Sequence, residues 1–333
     1  MSLNAAITLK QLRAFAMVIE AGNLTAAAGR MNVTTPAVSA QLKALEQNLD
    51  AKLMHRGADG RIELTAPGEV LLASVSEVEA VLERSFRRIK ALNAGKEGHV
   101  VLGAVSTAKY FAPALFARIR EALPEIEMEL KIGNREDTIA GLAAHRLDLA
   151  IMGRPPHEPA VAARVIGDHP QVMIAPPGHP LAGAGRAEAE RLLAETFLFR
   201  EPGSGTRLLM EKVLDDLGGG MPYKSVELDS NETIKQAVMA GLGIALISAH
   251  TVIAELATGR LATIRMPGKP IVRQWFLVSP KDRPLTPAAA HLHAFLTDLD
   301  GDFLPPVRLP GAGGKAPRPT KRRGRLQSTP ERP

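Results

Sequence analysis

The stretch "NLTAAAGRMNVTTPAVSAQLKALEQNL", residues 23–49, decides the fold of the N-terminal part of the chain. Asn23 is a suitable N-cap for a short alanine-rich helix over residues 25–31, and Thr34 is a suitable N-cap for a second helix. Apolar residues then recur at helical spacing and mark one buried face: Val38, Leu42, Leu45 and Leu49. Two short helices that meet at a tight turn are typical of a helix-turn-helix.

The flanking sequence extends this unit on both sides. Leu9, Leu12, Phe15 and Ile19 predict a preceding helix that ends at Gly22. Residues 55–68, "HRGADGRIELTAPG", indicate a two-stranded wing with a glycine turn. We therefore expect an all-α winged helix-turn-helix N-terminal domain over residues 1–66.

In a helix-turn-helix, the first turn of the second helix enters the major groove of double-stranded DNA. Hydroxyl and basic side chains near this turn and on the wing would contact base edges and phosphates. The candidate DNA-binding residues are Thr25, Arg30, Thr34, Thr35, Pro36, Ser39, Gln41, Lys43, Arg56 and Arg61. The helical pattern alone is equally compatible with a helical hairpin that has no role in DNA binding.

The same segment resembles the DNA-binding domain of LysR-type transcriptional regulators. The resemblance is carried by the following positions: Ala26 to Ala28, Pro36 to Ser39, Leu45, Glu46, Leu53, Arg56, Leu64 and Thr65. It implies that promoter DNA is a partner. One position departs from the family pattern, since members often carry an arginine where this chain has Ala40. Direct base readout is therefore expected to be sparse, with more reliance on phosphate contacts and DNA shape.

Residues 67–93 predict one long linker helix with an apolar stripe that alternates in steps of four and three. This seam consists of Leu71, Val75, Val78, Leu82, Ser85, Ile89 and Leu92. Such a stripe must be buried, either against a second copy of the chain or against its own domain. The resemblance implies a homodimer or a homotetramer. Residues 94–98 then indicate a hinge.

Composition limits the remaining possibilities. The chain has 333 residues and no cysteine, which predicts at least two domains and excludes disulfides and thiolate metal sites. Neither a signal peptide nor an apolar stretch of about 20 residues is present, so we expect a cytoplasmic protein without a membrane span. The net charge of +6 is concentrated after Val307, where eight Lys/Arg and one Glu give +7. We expect residues 304–333 to be a disordered basic tail, which either adds DNA affinity that does not depend on sequence or has no role.

From residue 99 onward, predicted strands alternate with predicted helices, which indicates parallel α/β sheets. Ligands of such sheets bind at the carboxyl ends of strands, beside helix N-termini. The stretch "EPGSGTR", residues 201–207, has the glycines and hydroxyls of an anion-binding loop. We expect Arg154 and Arg207 to clamp the ligand from two sides.

Cations, hydroxyls and glycine-freed N–H groups at these strand ends suit a small polyanion. Any one of them could instead be a surface ion pair or a structural residue. The candidate effector-binding residues are Ser106, Thr107, Lys109, Asn134, Arg135, Arg154, His169, Arg200, Gly203, Ser204, Gly205, Thr206, Arg207 and Asn231.

The resemblance continues through this region and is most specific to the CbbR-type regulators of Calvin-cycle (RuBisCO) operons. It is carried by "IGNRE", "LDLAIMGRPP", "GDHPQVMIA", "EPGSGTRLLME", "DSNETIKQAVMAGLGIALISAHT" and "VRQWF". It implies a periplasmic-binding-protein-like effector domain over residues 99–303, with two α/β subdomains (about 99–165 with 270–303, and about 166–269). It also implies a phosphorylated effector, such as ribulose 1,5-bisphosphate, NADPH or ATP, and RNA polymerase as a further partner.

Enzymatic motifs are absent from the sequence. There is no phosphate-binding loop with its lysine, no nucleophile elbow and no metal-ligand spacing of histidines. Glu201 is expected to hold Arg200 or Arg207 in place rather than to act as a base. We therefore expect no catalytic residue, no metal and no cofactor. Two alternatives remain open, a LysR-type regulator of an unphosphorylated carboxylate and a solute-binding or enzymatic α/β protein.

Overall fold

The computed structural model describes residues 7–56, 62–94, 96–183, 185–268 and 270–307. The chain divides into two compact units. The first runs to Gly95 and includes residues 144–146, and the second comprises the rest. Arg61, the side chain of Arg56 and the predicted tail from residue 308 onward lie outside the described part.

The described residues of the first unit form four helices and a two-stranded antiparallel sheet. Its elements are α1 (Leu9–Ala21), α2 (Leu24–Arg30), α3 (Thr35–Leu49), β1 (Met54–Arg56), β2 (Ile62–Leu64) and α4 (Ala66–Asn93). The predicted end of α1 and the predicted N-cap of α2 are confirmed, because Gly22 closes α1 in the left-handed region and the Asn23 side chain accepts the Ala26 N–H. Phe15, Val38 and Leu45 fill the core between the three short helices. The winged helix-turn-helix is confirmed.

The linker helix α4 uses its apolar seam in two ways. Near its start, Leu71 and Val75 pack against the core of the first unit. Further along, Val78, Ile89 and Leu92 are 42%, 54% and 52% exposed. The first turns of the seam are therefore covered by the chain's own domain, and the later turns are not.

The second unit is built of strands and helices in alternation. Its strands are β3 (Gly98–Val105), β4 (Ile126–Gly133), β5 (Leu149–Met152), β6 (Val161–Ala175), β7 (Thr196–Arg200), β8 (Lys224–Leu228), β9 (Ala245–Ser248), β10 (Ala262–Ile264) and β11 (Val272–Pro280). Its α-helices are α5 (Ala112–Ala122), α6 (Arg135–Ala143), α7 (Ala189–Leu193), α8 (Gly205–Gly218), α9 (Asn231–Met239), α10 (Ile253–Ala257) and α11 (Pro287–Asp298). None of the helices among the described residues is long and apolar enough to cross a membrane.

The sheets are parallel only in part, which corrects the sequence prediction. Strand β3 pairs in parallel with β4 and β5, and β7 pairs in parallel with β8. The long strand β6 instead runs antiparallel to β11 over its first part and to β9 and β10 over its second part. A strand of 15 residues is long enough to belong to two sheets in succession. Strand β6 therefore joins two α/β halves.

Each half has its own hydrophobic core. The first half packs β3, β5 and β11 against α5 and α11, with residues such as Leu102, Leu115 and Leu292 at its centre. The second half packs β7 and β9 between α8 on one side and α9 on the other. The predicted α/β effector domain with two subdomains is confirmed, and β3 begins one residue earlier than expected, at Gly98.

We predict that the exposed part of the α4 seam drives self-association. A carboxylate at Ile89 would place a charge in this apolar surface, and burial of such a side chain contributes roughly 1.5–3 kcal/mol per copy. The substitution Ile89→Glu is expected to weaken dimerisation at least tenfold, measured by sedimentation equilibrium. Val70→Glu is the matched control, because Val70 is 70% exposed on the same helix but lies off the seam. Equal association of both variants and the unmodified chain would contradict the prediction.

Candidate functional site

A cavity of about 480 Å³ lies in the second unit, between its two halves. Its walls are formed by the end of β3 with the 3₁₀ turn that follows it, and by the carboxyl end of β5. The start of α6 and one face of α8 complete them. Strands β6 and β11 form the floor. Eight of the predicted effector-binding residues line it: Ser106, Thr107, Arg135, Arg154, His169, Ser204, Gly205 and Thr206.

Three arginines share this cavity. Arg135 and Arg154 were expected there, and Arg273 joins them from the start of β11. Burial, followed by the charge of Arg154, lowers the pKa of Arg135, and burial with the charges of Arg154 and Arg135 lowers the pKa of Arg273. Within the described residues none of the three guanidinium groups has a carboxylate partner, and the buried Nε of Arg135 has no hydrogen-bond partner. Among the described residues, the guanidinium charges in the cavity therefore have no ion pair that neutralises them.

The N-terminus of α8 forms part of the facing wall. Ser204 is its N-cap, and the hydroxyl accepts the Thr206 N–H at 3.3 Å. Gly203 has a φ of +82°, and a β-carbon there would overlap Glu136 Oε2. This loop therefore needs glycine in order to turn beside α6. The helix N-terminus adds its partial positive charge to that of the arginines.

His169 forms part of the floor. Its ring stacks on Trp275, with the ring centroids 3.8 Å apart, and neither ring nitrogen has a hydrogen-bond partner among the described residues. Burial lowers the pKa of His169 well below its usual value, and the nearby His250 and Arg273 lower it further. The imidazole is therefore neutral near pH 7.

Several lining residues were not predicted. The most important are Arg273, near the start of β11, and Gln171, inside β6, neither of which lies at the carboxyl end of its strand. Lys212 and Asp216 extend the lining along α8. A polar residue inside an otherwise apolar strand, as in "VRQWF" and "PQVMIA", is the feature that could have identified the first two.

Arg207 is not part of the cavity, which corrects the predicted clamp with Arg154. Its guanidinium contacts Glu211 at 2.8 Å and Glu227 at 2.6 Å, and it also donates to the Arg200 carbonyl oxygen. The hydrogen bonds that Arg207 donates to these two carboxylates raise its pKa. Arg207 directly follows Thr206 in α8, but its side chain lies on a different face of the helix, where it makes these contacts.

Arg200 and Asn231 also lie behind the cavity lining. Arg200 is 3% exposed and forms two hydrogen bonds with Glu201, at 2.6 and 2.7 Å, which is one of the two roles expected for Glu201. Its remaining contacts are Asn231 Oδ1 at 2.7 Å and the Ser106 hydroxyl at 3.3 Å. Arg200 therefore supports Ser106, which does line the cavity.

The other predicted residues outside the lining have local roles. Asn134 Oδ1 accepts the Asp137 N–H at 2.8 Å and so caps the first turn of α6. Gly203 accepts the Glu136 N–H through its carbonyl at 3.2 Å. Lys109 places its ammonium group 5.4 Å from the centre of the Tyr110 ring.

Most of the predicted DNA-binding residues that the structure describes lie on α3 or directly before it. Thr34, Pro36 and Ser39 are exposed, and the Thr34 hydroxyl makes no capping hydrogen bond, contrary to expectation. Thr25 and Lys43 are exposed, whereas Thr35 and Gln41 are half-buried. Arg30 is paired with Glu20 at 2.9 Å on the surface. An exposed pair of this kind contributes little and can open to contact a phosphate.

Family models match both units. Residues 9–69 match the "Bacterial regulatory helix-turn-helix protein, lysR family" and residues 93–300 match the "LysR substrate binding domain". The chain belongs to the LysR family of transcriptional regulators. The predicted resemblance is confirmed.

Three relatives of this LysR-family chain are informative. It is 46% identical over 301 residues to the HTH-type transcriptional regulator CbbR of Cereibacter sphaeroides, covering 90% of this chain and 97% of the relative. It is 36% identical over 290 residues to a RuBisCO operon transcriptional regulator of Allochromatium vinosum, covering 87% and 95%. Among solved structures, it is similar to the Synechocystis CcmR regulatory domain in complex with 2-PG, with a TM-score of 0.57, 32% identity, and coverage of 61% of this chain and 97% of that domain.

The buried histidines predict that this LysR-family chain is sensitive to acid. Trp275 Nε1 donates to His250 Nδ1 at 3.4 Å, and burial lowers the pKa of His250 to about 4. A histidine whose pKa is lowered by folding stabilises the folded state above its unfolded pKa of about 6.5, and this stability is lost as the pH falls towards 4. The free energy of unfolding of the unmodified chain, relative to that of His250→Gln, should fall by up to about 3 kcal/mol between pH 6.5 and 4.

Urea unfolding at several pH values measures this difference. His157→Gln is the matched control, since His157 is exposed and should leave the pH profile unchanged. A difference between the unmodified chain and His250→Gln that is constant with pH would show that His250 titrates normally.

Proposed function

We propose that this LysR-family regulator senses a small phosphorylated metabolite in the cavity and controls carbon-fixation (RuBisCO) genes in response. The observation that carries the proposal is the group formed by Arg135, Arg154 and Arg273, which face one cavity without a carboxylate partner among the described residues. The choice of target genes is supported by the names of the relatives, CbbR and the RuBisCO operon regulator.

The charge of the cavity favours phosphate over a single carboxylate. Three guanidinium groups repel one another, and a ligand that carries about two negative charges offsets this repulsion better than one that carries one. Arginine binds phosphate oxygens through two parallel N–H groups, and the α8 N-terminus supplies further N–H donors. A cavity of about 480 Å³ lies within the usual range for metabolite sites.

Sensing requires that the ligand prefer one state of the cavity. Arg135 and Arg154 belong to the first half and Ser204 to Thr206 to the second, so a phosphate between them contacts both. Such a ligand favours the closed arrangement by its difference in affinity for the two states. By linkage, promoter binding that depends on the same arrangement changes ligand affinity by the same factor.

The decisive prediction concerns two arginines with opposite expected roles. Calorimetric titration of the full chain with ribulose 1,5-bisphosphate, NADPH, ATP, phosphoenolpyruvate, 2-PG and cis,cis-muconate should show saturable binding of a phosphorylated compound. Arg273→Gln should weaken this binding at least tenfold, because hydrogen bonds to charged groups contribute about 1.5–3 kcal/mol. Arg207→Gln is the matched control and should bind within twofold of the unmodified chain, because Arg207 points away from the cavity.

Two results would overturn this assignment. Binding of muconate alone would identify a sensor of an unphosphorylated carboxylate. A larger loss in Arg207→Gln than in Arg273→Gln would place the anion at the loop before α8 instead of among the three arginines.

A second prediction concerns DNA. Lys43 is exposed on α3 and has no ion-pair partner among the described residues, so it is available to a phosphate. Lys43→Ala should weaken binding to a promoter fragment from the RuBisCO operon and reduce the slope of log affinity against log salt by about one. Lys281→Ala, an exposed lysine of the second unit, is the control and should leave the slope unchanged. An unchanged slope in Lys43→Ala would remove Lys43 from the DNA contact surface.

A further inference from the structure

His169 has two hydrogen-bonding atoms that no described residue uses. The residue is 7% exposed and lines the cavity, and both Nδ1 and Nε2 are without a partner among the described residues. Buried polar atoms of native proteins are nearly always paired with protein, water or ligand. The imidazole is therefore suited to contact whatever fills the cavity.

The ring is held in one orientation by its neighbours. One face stacks on Trp275, with only 18° between the ring planes. A β-carbon on Gly153 would lie 2.9 Å from Nδ1, so this nitrogen faces Gly153, which itself lines the cavity. Any side chain at position 153 would cover Nδ1. Glycine at this position therefore leaves no side chain over Nδ1, and less than 1 Å² of either ring nitrogen is exposed while the cavity is empty.

A neutral imidazole needs two different kinds of partner, since one nitrogen donates and the other accepts. The arginines of the cavity only donate, and a fully ionised phosphate only accepts. The accepting nitrogen of His169 therefore requires an O–H or N–H of the ligand. An ammonium group is disfavoured beside Arg135, Arg154 and Arg273, which leaves an uncharged donor, and a hydroxyl is the simplest one.

We propose that the effector is a hydroxylated phosphate, with a hydroxyl that donates to His169 while the phosphate lies among the three arginines. His169 is thereby a specificity-determining residue, which distinguishes such compounds from analogues that lack the hydroxyl. This inference rests on the proposed function, because it takes the arginines to be the phosphate site. It goes further by naming the second chemical group that the ligand must carry.

Two small phosphates of similar shape test the inference. Calorimetric titration of the full chain with sn-glycerol 3-phosphate and with n-propyl phosphate compares a ligand that has hydroxyls with one that has none. The glycerol compound is expected to bind at least tenfold more tightly. A site built to bond a hydroxyl rejects the analogue that lacks it, because its own polar atoms are then left unpaired.

Three variants test whether His169 causes the preference for the glycerol compound, expressed as the ratio of the affinities for sn-glycerol 3-phosphate and n-propyl phosphate. His169→Phe keeps an aromatic ring for stacking on Trp275 but has no nitrogen, and the affinity ratio should fall to about one. His169→Gln retains a donor and an acceptor and should keep part of the ratio. His157→Phe alters an exposed histidine outside the cavity and should keep all of it.

The outcomes separate the two proposals. Equal affinity of the two phosphates for the unmodified chain would overturn the inference and leave the proposed function standing, and this comparison needs no variant to fold. A ratio that persists in a folded His169→Phe would overturn the role of His169. Binding of neither phosphate, together with binding of muconate, would overturn the proposed function and this inference with it.

Discussion

Repulsion among three guanidinium groups is the constraint on which the functional part of the structure depends. Arg135, Arg154 and Arg273 come from the start of α6, the loop after β5 and the start of β11. Only the pairing of β11 between β5 and β6 brings them into one cavity. This arrangement lowers the pKa of Arg135 and of Arg273, and no carboxylate in the described part of the chain forms an ion pair with them. Unneutralised charge of this kind is typical of a site whose partner is a ligand.

Contacts on the far side of the lining hold the two halves of the second unit together around this charge. Arg200 reaches Ser106 across the cavity wall, and Lys235, with its side chain 4% exposed, lies 4.7 Å from the centre of the Tyr110 ring. Lys235 is in turn paired with Glu232 at 2.8 Å and Glu255 at 2.7 Å. The strong ion pairs thus lie behind the lining, whereas the three arginines that face the cavity form no ion pair with any described residue. This separation distinguishes residues that support the site from residues that can bind a ligand.

Local features of the sequence were sufficient to predict the helices of the first unit and some of the residues that line the cavity. Caps such as Asn23 and Gly22 act within one helical turn, so they could be predicted without knowledge of the fold. Arg135, Arg154 and Ser204 follow strands directly, and the carboxyl-end rule for α/β sheets located them. Arg273 could not be found in this way, because its place depends on the antiparallel register of β6 and β11, which pairs residues about 100 positions apart. Arg207 was misplaced because its partner Glu227 lies on β8, a neighbour that no local pattern shows.

The most direct test of the three-arginine site is to locate a bound anion. A crystal of the full chain soaked in tungstate, an electron-dense phosphate analogue, would reveal the anion by its anomalous scattering. The peak is expected among the guanidinium groups of Arg135, Arg154 and Arg273, close to the N-terminus of α8. A peak at Arg207, or no ordered tungstate in the cavity, would contradict the assignment of this cavity as the phosphate site.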